Sequence, residues 1–278
     1  MTTRVAVITP ASENRLAHLH RQRRFLRDVV TPEIEVVRIE AWLDDAAPHM
    51  IDGAVHVHVP PGRDGMRVGA ARNAAAAVAL DHDVDLLVFL DVDCLPGPGL
   101  LERYVEAARS DPDGLLCGPV TYLRSIQRPA SPDELDALTR PHPARPNPAD
   151  GEIETADPAD VDLFWSLSFA VTTQTWRRLG GFDERYEGYG AEDTDLARRA
   201  RSLGIPLRWV GGAHAYHQWH PAGTPPWRHL DDILRNGALF ADRWGEWPMG
   251  GWIAAFVRAG AVEAHDGGYR RTRVPTGR

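Results

Sequence analysis

Three groups of side chains carry the chemistry legible in this 278-residue chain: the carboxylates Asp91 and Asp93, the acidic cluster Glu192, Asp193 and Asp195, and the histidines His214, His217 and His220. Asp91 and Asp93 close the apolar run Leu86-Leu87-Val88-Phe89-Leu90, and Pro96-Gly97-Pro98-Gly99 follow at once. Residues i and i+2 of an extended chain project to one side, so both carboxylates can face one point. Two carboxylates so placed repel unless a cation lies between them or one is protonated. A hard divalent ion is the simplest occupant, and beside a phosphate that ion is Mg²⁺ or Mn²⁺. Strand ends are also often acidic with no ligand at all, so the pair alone does not decide the matter.

Glu192, Asp193 and Asp195 stand where a helix begins, and carboxylates there complement the macrodipole. The preceding Gly188-Tyr189-Gly190 adds a second meaning, since glycines let the backbone bring the helix start close to a ligand. A carboxylate in that position can take a proton from a hydroxyl. On a strand, His214 and His220 would face opposite to His217, and Gly211, Gly212 and Pro221 argue against a helix there. Three histidines on one ion are therefore not expected. One of them completing the Asp91/Asp93 site is, because imidazole is an acceptable ligand for Mn²⁺-like ions.

The elements that must position these groups read as alternating strands and helices. Apolar runs predict strands near residues 5–8, 35–39, 55–59, 86–90, 115–120, 164–171 and 207–210. Helices are predicted over 15–29, 69–80, 100–110, 174–179, 191–202, 226–243 and 251–262, followed by a polar tail. This order is that of a doubly wound α/β sheet, whose ligands sit beyond the carboxyl ends of the strands. No G-x-G-x-x-G follows the first strand, which disfavours a dinucleotide site. Prolines crowd residues 128–160 and leave room for one short helix near 133–139; so long a connection is either an active-site lid or acceptor loop, or a floppy insertion.

At 43% hydrophobic and 25% charged, the composition is that of a globular protein with one large domain, or one domain plus an extension. A net charge of −8 argues against a general nucleic-acid binder. The two cysteines, Cys94 and Cys117, lie in apolar runs and read as buried free thiols in a reducing cytoplasm. No run approaches the roughly 18 apolar residues of a membrane span. The expected location is cytoplasmic, with peripheral contact at the inner membrane face compatible with it.

Six segments in order carry a family resemblance: Val7-Ile8-Thr9-Pro10, Ala71-Arg72-Asn73, Phe89-Leu90-Asp91-Val92-Asp93, Leu179-Gly180-Gly181-Phe182-Asp183-Glu184, Gly188-Tyr189-Gly190-Ala191-Glu192-Asp193-Thr194-Asp195-Leu196 and Tyr216-His217-Gln218. Over residues 4–221 the chain resembles family 2 glycosyltransferases of the GT-A fold. Its second half resembles the galactosyltransferase C-terminal module shared with β-1,4-galactosyltransferases and polypeptide N-acetylgalactosaminyltransferases. The resemblance implies a mixed, doubly wound sheet with helices on both faces. It divides the chain into a GT-A domain over 1–222 and a helical extension over 223–278. Within the domain, 1–123 would bind nucleotide, 124–163 is the proline-rich loop, and 164–222 is the acceptor and catalytic half.

The same resemblance implies roles. Asp91, Asp93 and His217 would hold Mn²⁺ or Mg²⁺ against the donor diphosphate, with Val92 on the nucleotide side. Asp193 would be the catalytic base and Glu192 a ligand for acceptor or donor hydroxyls. Thr9, Pro10 and Ser12 would line the nucleoside pocket, and Arg72 and Asn73 would lie near the diphosphate. Most family members carry Asp-Asp/Gly-Ser after the second strand, with an acidic residue reading uracil; here Arg38-Ile39-Glu40-Ala41-Trp42 stands there, leaving Glu40 as the substitute. Trp165, Tyr189 beside Gly190, and Trp219 would stack on sugar faces, with His220 or Arg72 offsetting charge on the leaving diphosphate. The Gly188–Gly190 loop and the proline-rich segment would close over the donor.

The implied reaction is metal-dependent transfer from a nucleotide-diphosphate sugar, with UDP as the expected nucleotide. The acceptor is a hydroxyl of a glycan, a lipid-linked sugar or a small molecule. Inversion is expected, although the N-acetylgalactosaminyltransferases sharing the second motif retain configuration. A metal-dependent nucleotidyltransferase acting on a sugar phosphate is the alternative enzyme, disfavoured by the missing glycine-rich triphosphate loop. A non-catalytic nucleotide-sugar-binding module is the remaining alternative.

Overall fold

The apolar runs become the middle of one sheet because alternate residues of each strand have a helical layer to face. In the computed structural model, which describes residues 2–48, 53–221 and 223–272, the elements follow in chain order. They begin with β1 (Thr3–Ala11), α1 (Leu16–Asp28), β2 (Ile34–Trp42), β3 (Val55–His58), α2 (Val68–Leu80) and β4 (Leu86–Leu90). Next come β5 (Cys94–Pro96), α3 (Leu100–Ser110), β6 (Leu115–Cys117), β7 (Val120–Tyr122), α4 (Asp133–Asp136), β8 (Ile153–Thr155) and β9 (Ser168–Thr172). The chain continues with α5 (Thr173–Leu179), α6 (Glu192–Ser202), β10 (Leu207–Val210), β11 (Ala215–His217), α7 (Leu230–Trp244), α8 (Gly250–Arg258), β12 (Val262–His265) and β13 (Gly268–Arg271).

Eight strands form the main sheet in the order β3-β2-β1-β4-β9-β6-β10-β8. β1 to β4 run parallel, β9 runs antiparallel to β4 and β6, and β8 closes the edge antiparallel to β10. Within β1 and β4 the faces alternate as an extended chain requires. Ala6, Ile8, Leu87 and Phe89 pack with the alanines of α2 and with Leu196, Ala197 and Ala200 of α6. Val5, Val7, Leu86, Val88 and Leu90 pack with Leu100, Leu101, Tyr104 and Val105 of α3. The sheet is thus mixed and covered on both faces, as expected.

Pro96 ends β5, the edge of a second sheet ordered β5-β11-β7. The proline-rich segment takes a defined path. It supplies α4 and β8, and Arg145 is buried with its guanidinium 5.0 Å from the ring centres of both Trp165 and Trp209. Prolines there restrict the unfolded chain and so favour one ordered path. The C-terminal extension is not wholly helical: Val262 packs beneath Ile253 and Phe256, and the chain returns as the hairpin β12–β13. Residues 273–278 of the expected tail lie outside the described residues.

Asp195 explains how the extension is fastened. Its carboxylate, fully buried, accepts from Arg243 Nη1 at 2.9 and 3.1 Å and from Trp244 Nε1 at 2.9 Å, both on α7. Removing one partner leaves a buried charge uncompensated. Arg243→Ala leaves the buried Asp195 carboxylate short of its cation and is therefore expected to lower the unfolding free energy by about 3 kcal/mol, measured by denaturant titration; a change within experimental error would show that α7 is not anchored through this group.

Candidate active site

The site forms where β1 and β4 end. The Asp91 amide donates to the Leu167 carbonyl at 2.9 Å, so the chain entering β9 runs beside the Asp91–Asp93 turn. Gln22 of α1 fixes the other side of that turn. Its Nε2 donates to the carbonyls of Asp91 (2.6 Å) and Cys94 (2.9 Å), and its Oε1 accepts from Thr9 Oγ1 at 3.1 Å. β11 then pairs antiparallel with β5, setting His217 opposite Cys94, and the Gln218 amide donates to the Asp93 carbonyl at 2.6 Å. Short strands far apart in sequence thereby bring His217 to Asp93.

His217 Nε2 lies 3.5 Å from Asp93 Oδ1, and His220 Nε2 lies 3.4 Å from Asp93 Oδ2. Ligand atoms held at about 2.0–2.2 Å from one ion are themselves about 3–3.5 Å apart, so these separations suit a shared cation. The donor set, one carboxylate and two imidazoles, also suits a divalent metal. Burial lowers the His217 pKa, favouring the neutral ring that a metal needs. Burial would raise Asp93, but the hydrogen bond from His220 and the field of both rings hold it below the ordinary carboxylate range. Tyr122 of β7 stacks on His217 with ring centres 4.6 Å apart and fixes its plane.

The expectation that His220 must face away from His217 fails because β11 ends at His217 and the chain turns before His220. His214 does leave the group, its Nε2 meeting Thr121 Oγ1 at 2.8 Å. Asp91 is not turned to the histidines. Its Oδ1 accepts from Arg72 Nη2 at 2.6 Å, and among the described residues the three-ligand cluster is Asp93, His217 and His220.

Arg72 is the hinge between this cluster and the second acidic group. It is 2% exposed, with Nη2 on Asp91 and Nη1 3.8 Å from Glu192 Oε1. Neither Nε nor Nη1 has a hydrogen-bond partner among the described residues. Glu192 and Asp193 open α6 after Ala191, which takes a left-handed conformation at φ 76°. Burial and the charge of Asp193 push Glu192 up to about 7, and burial raises Asp193 as well. One oxygen of Asp193 accepts from the Thr194 amide at 2.7 Å, while Oδ2 has no protein donor among the described residues.

Other expected nucleotide contacts move. β1 extends to Ala11, so Thr9 is buried inside the strand with its hydroxyl committed to Gln22, and Pro10 is likewise a strand residue. Ser12 begins the following turn and donates to Asn14 Oδ1 at 2.7 Å. Glu40 is not available to a base, because it is 2% exposed and held by both Arg23 Nε and Nη2, with His56 Nε2 at 3.4 Å. Asp44, just past β2, is the carboxylate that does stand at the strand ends, accepting from the Glu13 amide at 2.9 Å. The acidic pair after Leu43 was its signal in the sequence. Asn73 is a clamp for the Gly181–Phe182 turn, donating to the Phe182 carbonyl at 2.9 Å and accepting from its amide at 2.7 Å.

Val92 is buried against Ala11, Leu19 and Trp42. Trp165 lies edge-on to His142 at 4.9 Å, and Trp219 is exposed between the two clustered histidines in sequence. Tyr189 and Gly190 belong to a loop that α7 holds: Asn236 Nδ2 donates toward the carbonyls of Glu187 (3.0 Å), Tyr189 (3.3 Å) and Gly190 (3.0 Å).

Residues 158–220 match the family described as the N-terminal domain of galactosyltransferase. Validoxylamine A glucosyltransferase of Streptomyces hygroscopicus subsp. jinggangensis (strain 5008) is 32% identical over 176 residues, which is 55% of this chain and 40% of that one. Chondroitin synthase of Escherichia coli is 26% identical over 182 residues, 56% of this chain and 26% of that one. The chain thus spans less than half the length of these relatives. Among solved structures, GalNAc-T7 with UDP, GalNAc and Mn²⁺ superposes with a TM-score of 0.59 at 14% identity, covering 87% of this chain and 48% of that one. Residues 1–349 of Staphylococcus aureus TarS give 0.57 at 13% identity, covering 89% and 67%. No helix among the described residues is long and apolar enough to cross a membrane. Sheet order and the structural likenesses give the chain the GT-A fold, and in sequence it is similar to glycosyltransferases, with residues 158–220 matching the galactosyltransferase family.

Proposed function

We propose that the chain transfers a sugar from a UDP-sugar to an acceptor hydroxyl, with inversion. The observation that carries this reading is the line Asp91–Arg72–Glu192, which joins the turn bearing the Asp93/His217/His220 cluster to the start of α6, where Asp193 follows Glu192. UDP is favoured because solved structures of the same fold hold it: GalNAc-T7 with UDP, and TarS with UDP-GlcNAc. The curated relatives' names, a glucosyltransferase and a polysaccharide synthase, favour transfer over nucleotidyl exchange.

Asp93, His217 and His220 would hold a divalent cation, and Asp91 would face the same ligand through Arg72. Such an ion supplies positive charge where the diphosphate leaves. Asp44 would accept from the base. Asp193 Oδ2 takes the proton of the acceptor hydroxyl as that oxygen attacks the anomeric carbon. Glu192, tied to Arg72, orients hydroxyls beside it.

His217→Ala tests the reading directly. Mn²⁺ binding, followed by the loss of free-ion electron paramagnetic resonance signal, is expected to weaken sharply. Mn²⁺-dependent hydrolysis of UDP-glucose is expected to fall on the order of a hundred-fold, the usual cost of losing one charge-stabilising group. Unchanged Mn²⁺ affinity in both His217→Ala and His220→Ala would remove the cation site. Pyrophosphate release from UTP and glucose 1-phosphate, with no sugar transfer, would favour the nucleotidyltransferase.

A further inference from the structure

One apolar side chain stands further into solvent than any other among the described residues. Ile126 is 80% exposed, while the next large apolar side chain, Leu203, is 49% exposed. Ile126 sits at the corner of a turn that is closed twice. The Gln127 amide donates to the Arg124 carbonyl at 2.9 Å, and the Arg124 amide donates to Gln127 Oε1 at 2.6 Å. Turn corners favour Gly, Asn, Asp and Ser, and an isoleucine there gains nothing from packing within the chain.

The turn is firmly mounted. Leu123, just before it, packs with Phe25 of α1, Leu135 of α4 and Tyr216 of β11, and its amide donates to the His217 carbonyl at 2.9 Å. Just after it, the Pro129 carbonyl accepts from Arg21 Nη2 of α1 at 2.6 Å. These contacts lay the turn against α1, whose outer face exposes Arg24 and Arg27, and Arg124 and Arg128 are exposed on either side of Ile126. Burial, then the charges of Arg24 and Arg128, lower the Arg21 pKa, so the cations of helix and turn stand together. The carboxylates on these elements are Asp28 at the end of α1 and Asp133, Glu134 and Asp136 of α4. Of these, Glu134 is the one that acts on Arg21, and it already accepts from the Ala130 amide at 2.8 Å. In a chain of net charge −8, the result is a local positive surface around one projecting apolar residue.

We propose that this end of the molecule docks on an anionic lipid surface, with Ile126 entering the headgroup boundary and Arg24, Arg27, Arg124 and Arg128 meeting lipid phosphates. Lipid is favoured over an acidic protein because protein interfaces bury an apolar centre depleted of charge. Here a single apolar side chain stands among arginines. A bilayer boundary accommodates that arrangement, since arginine stems lie along apolar surface while their heads stay with the phosphates. The strand order gives docking a direction. β7 and β11 are parallel neighbours with Tyr122 opposite His217. The Ile126 turn and the segment bearing Trp219 and His220 therefore leave the small sheet at the same end. Trp219 is 43% exposed there, and indole suits such a boundary.

The test uses the full chain in co-sedimentation with phosphatidylcholine vesicles, made with and without phosphatidylglycerol. Wild type is expected to pellet only with the anionic vesicles, and high salt should release it. Arg24→Gln and Arg124→Gln should each weaken binding about five-fold, the equivalent of about 1 kcal/mol per arginine at such a surface. Ile126→Ser should weaken it about ten-fold, and Ile126→Leu should restore it. All three positions are exposed, so melting temperature and lipid-free hydrolysis of UDP-glucose should match wild type.

No binding to anionic vesicles, or equal binding to both kinds, would overturn the proposal, and so would unchanged binding in both arginine variants. Loss in the arginine variants with none in Ile126→Ser would point to an acidic protein as the partner and also overturn it. The proposal goes beyond the glycosyl-transfer reading, whose failure would show separately as absent UDP-glucose hydrolysis in wild type.

Discussion

Asp193→Asn is expected to lower sugar transfer by about 10²–10⁴-fold, the usual range for a general base, while UDP and Mn²⁺ bind as before. The amide keeps the shape and the bond from the Thr194 amide, and loses only the capacity to take a proton. The pH profile supplies the companion result. Burial raises Asp193, and Glu192 is pushed up to about 7 by burial and by Asp193. A base works only when unprotonated, so kcat/KM should rise with pH through a limb above the ordinary carboxylate range and fall as the pH drops below it. Glu192→Gln removes the neighbouring negative charge and should carry that limb to lower pH. Near-normal turnover in Asp193→Asn, or a limb near pH 4 in the wild type, would assign the base elsewhere.

Arg72→Met should be the most damaging single change in the centre of the molecule. The methionine fills similar space, but Asp91 loses its 2.6 Å partner and Glu192 its nearest cation. Breaking a buried pair from one side costs about 3–5 kcal/mol. Two acids facing each other without the cation respond by binding protons, so the variant should recover part of its stability as the pH falls from 8 to 5, opposite to acid denaturation. Arg72→Lys should sit between, restoring charge but not the two-pronged reach. Thermal melts of the three proteins at pH 5 and pH 8 decide it. A methionine variant as stable as wild type at pH 8 would show that the two carboxylates do not depend on Arg72.

Much of the fold is legible in the sequence because its strands are buried on both faces. Val5–Ile8 and Leu86–Leu90 are continuous apolar runs, and the alternation that splits them between two helical layers needs no tertiary information. Shorter elements are not legible this way. β5, β7 and β11 have three residues each, fewer than any periodicity can reveal, and they are the ones that carry His217 to Asp93. The hairpin β12–β13 hides in a polar tail because only Val262 is buried.

At the site, residue types announced chemistry better than they announced partners. The carboxylates and histidines stood out, but which oxygen meets which nitrogen depends on where a strand ends. His220 joins His217 because β11 stops one turn early. Glu40 looked like a base reader by position, and nothing local shows that Arg23, seventeen residues back on α1, already holds it. Gln22, whose amide fixes the Asp91–Asp93 turn, gave no sequence signal beyond being a polar residue on a buried helix face.

Asn236 has a consequence for how such proteins diversify. By meeting three carbonyls of the loop that leads into Glu192 and Asp193, it ties α7 to the start of α6. A chimera that kept the sheet and took α7 from a cousin would need an amide at the same place, or that loop would lose its support. Divergence in α7 is thus constrained at one position facing the sheet domain, and free elsewhere along its outer side.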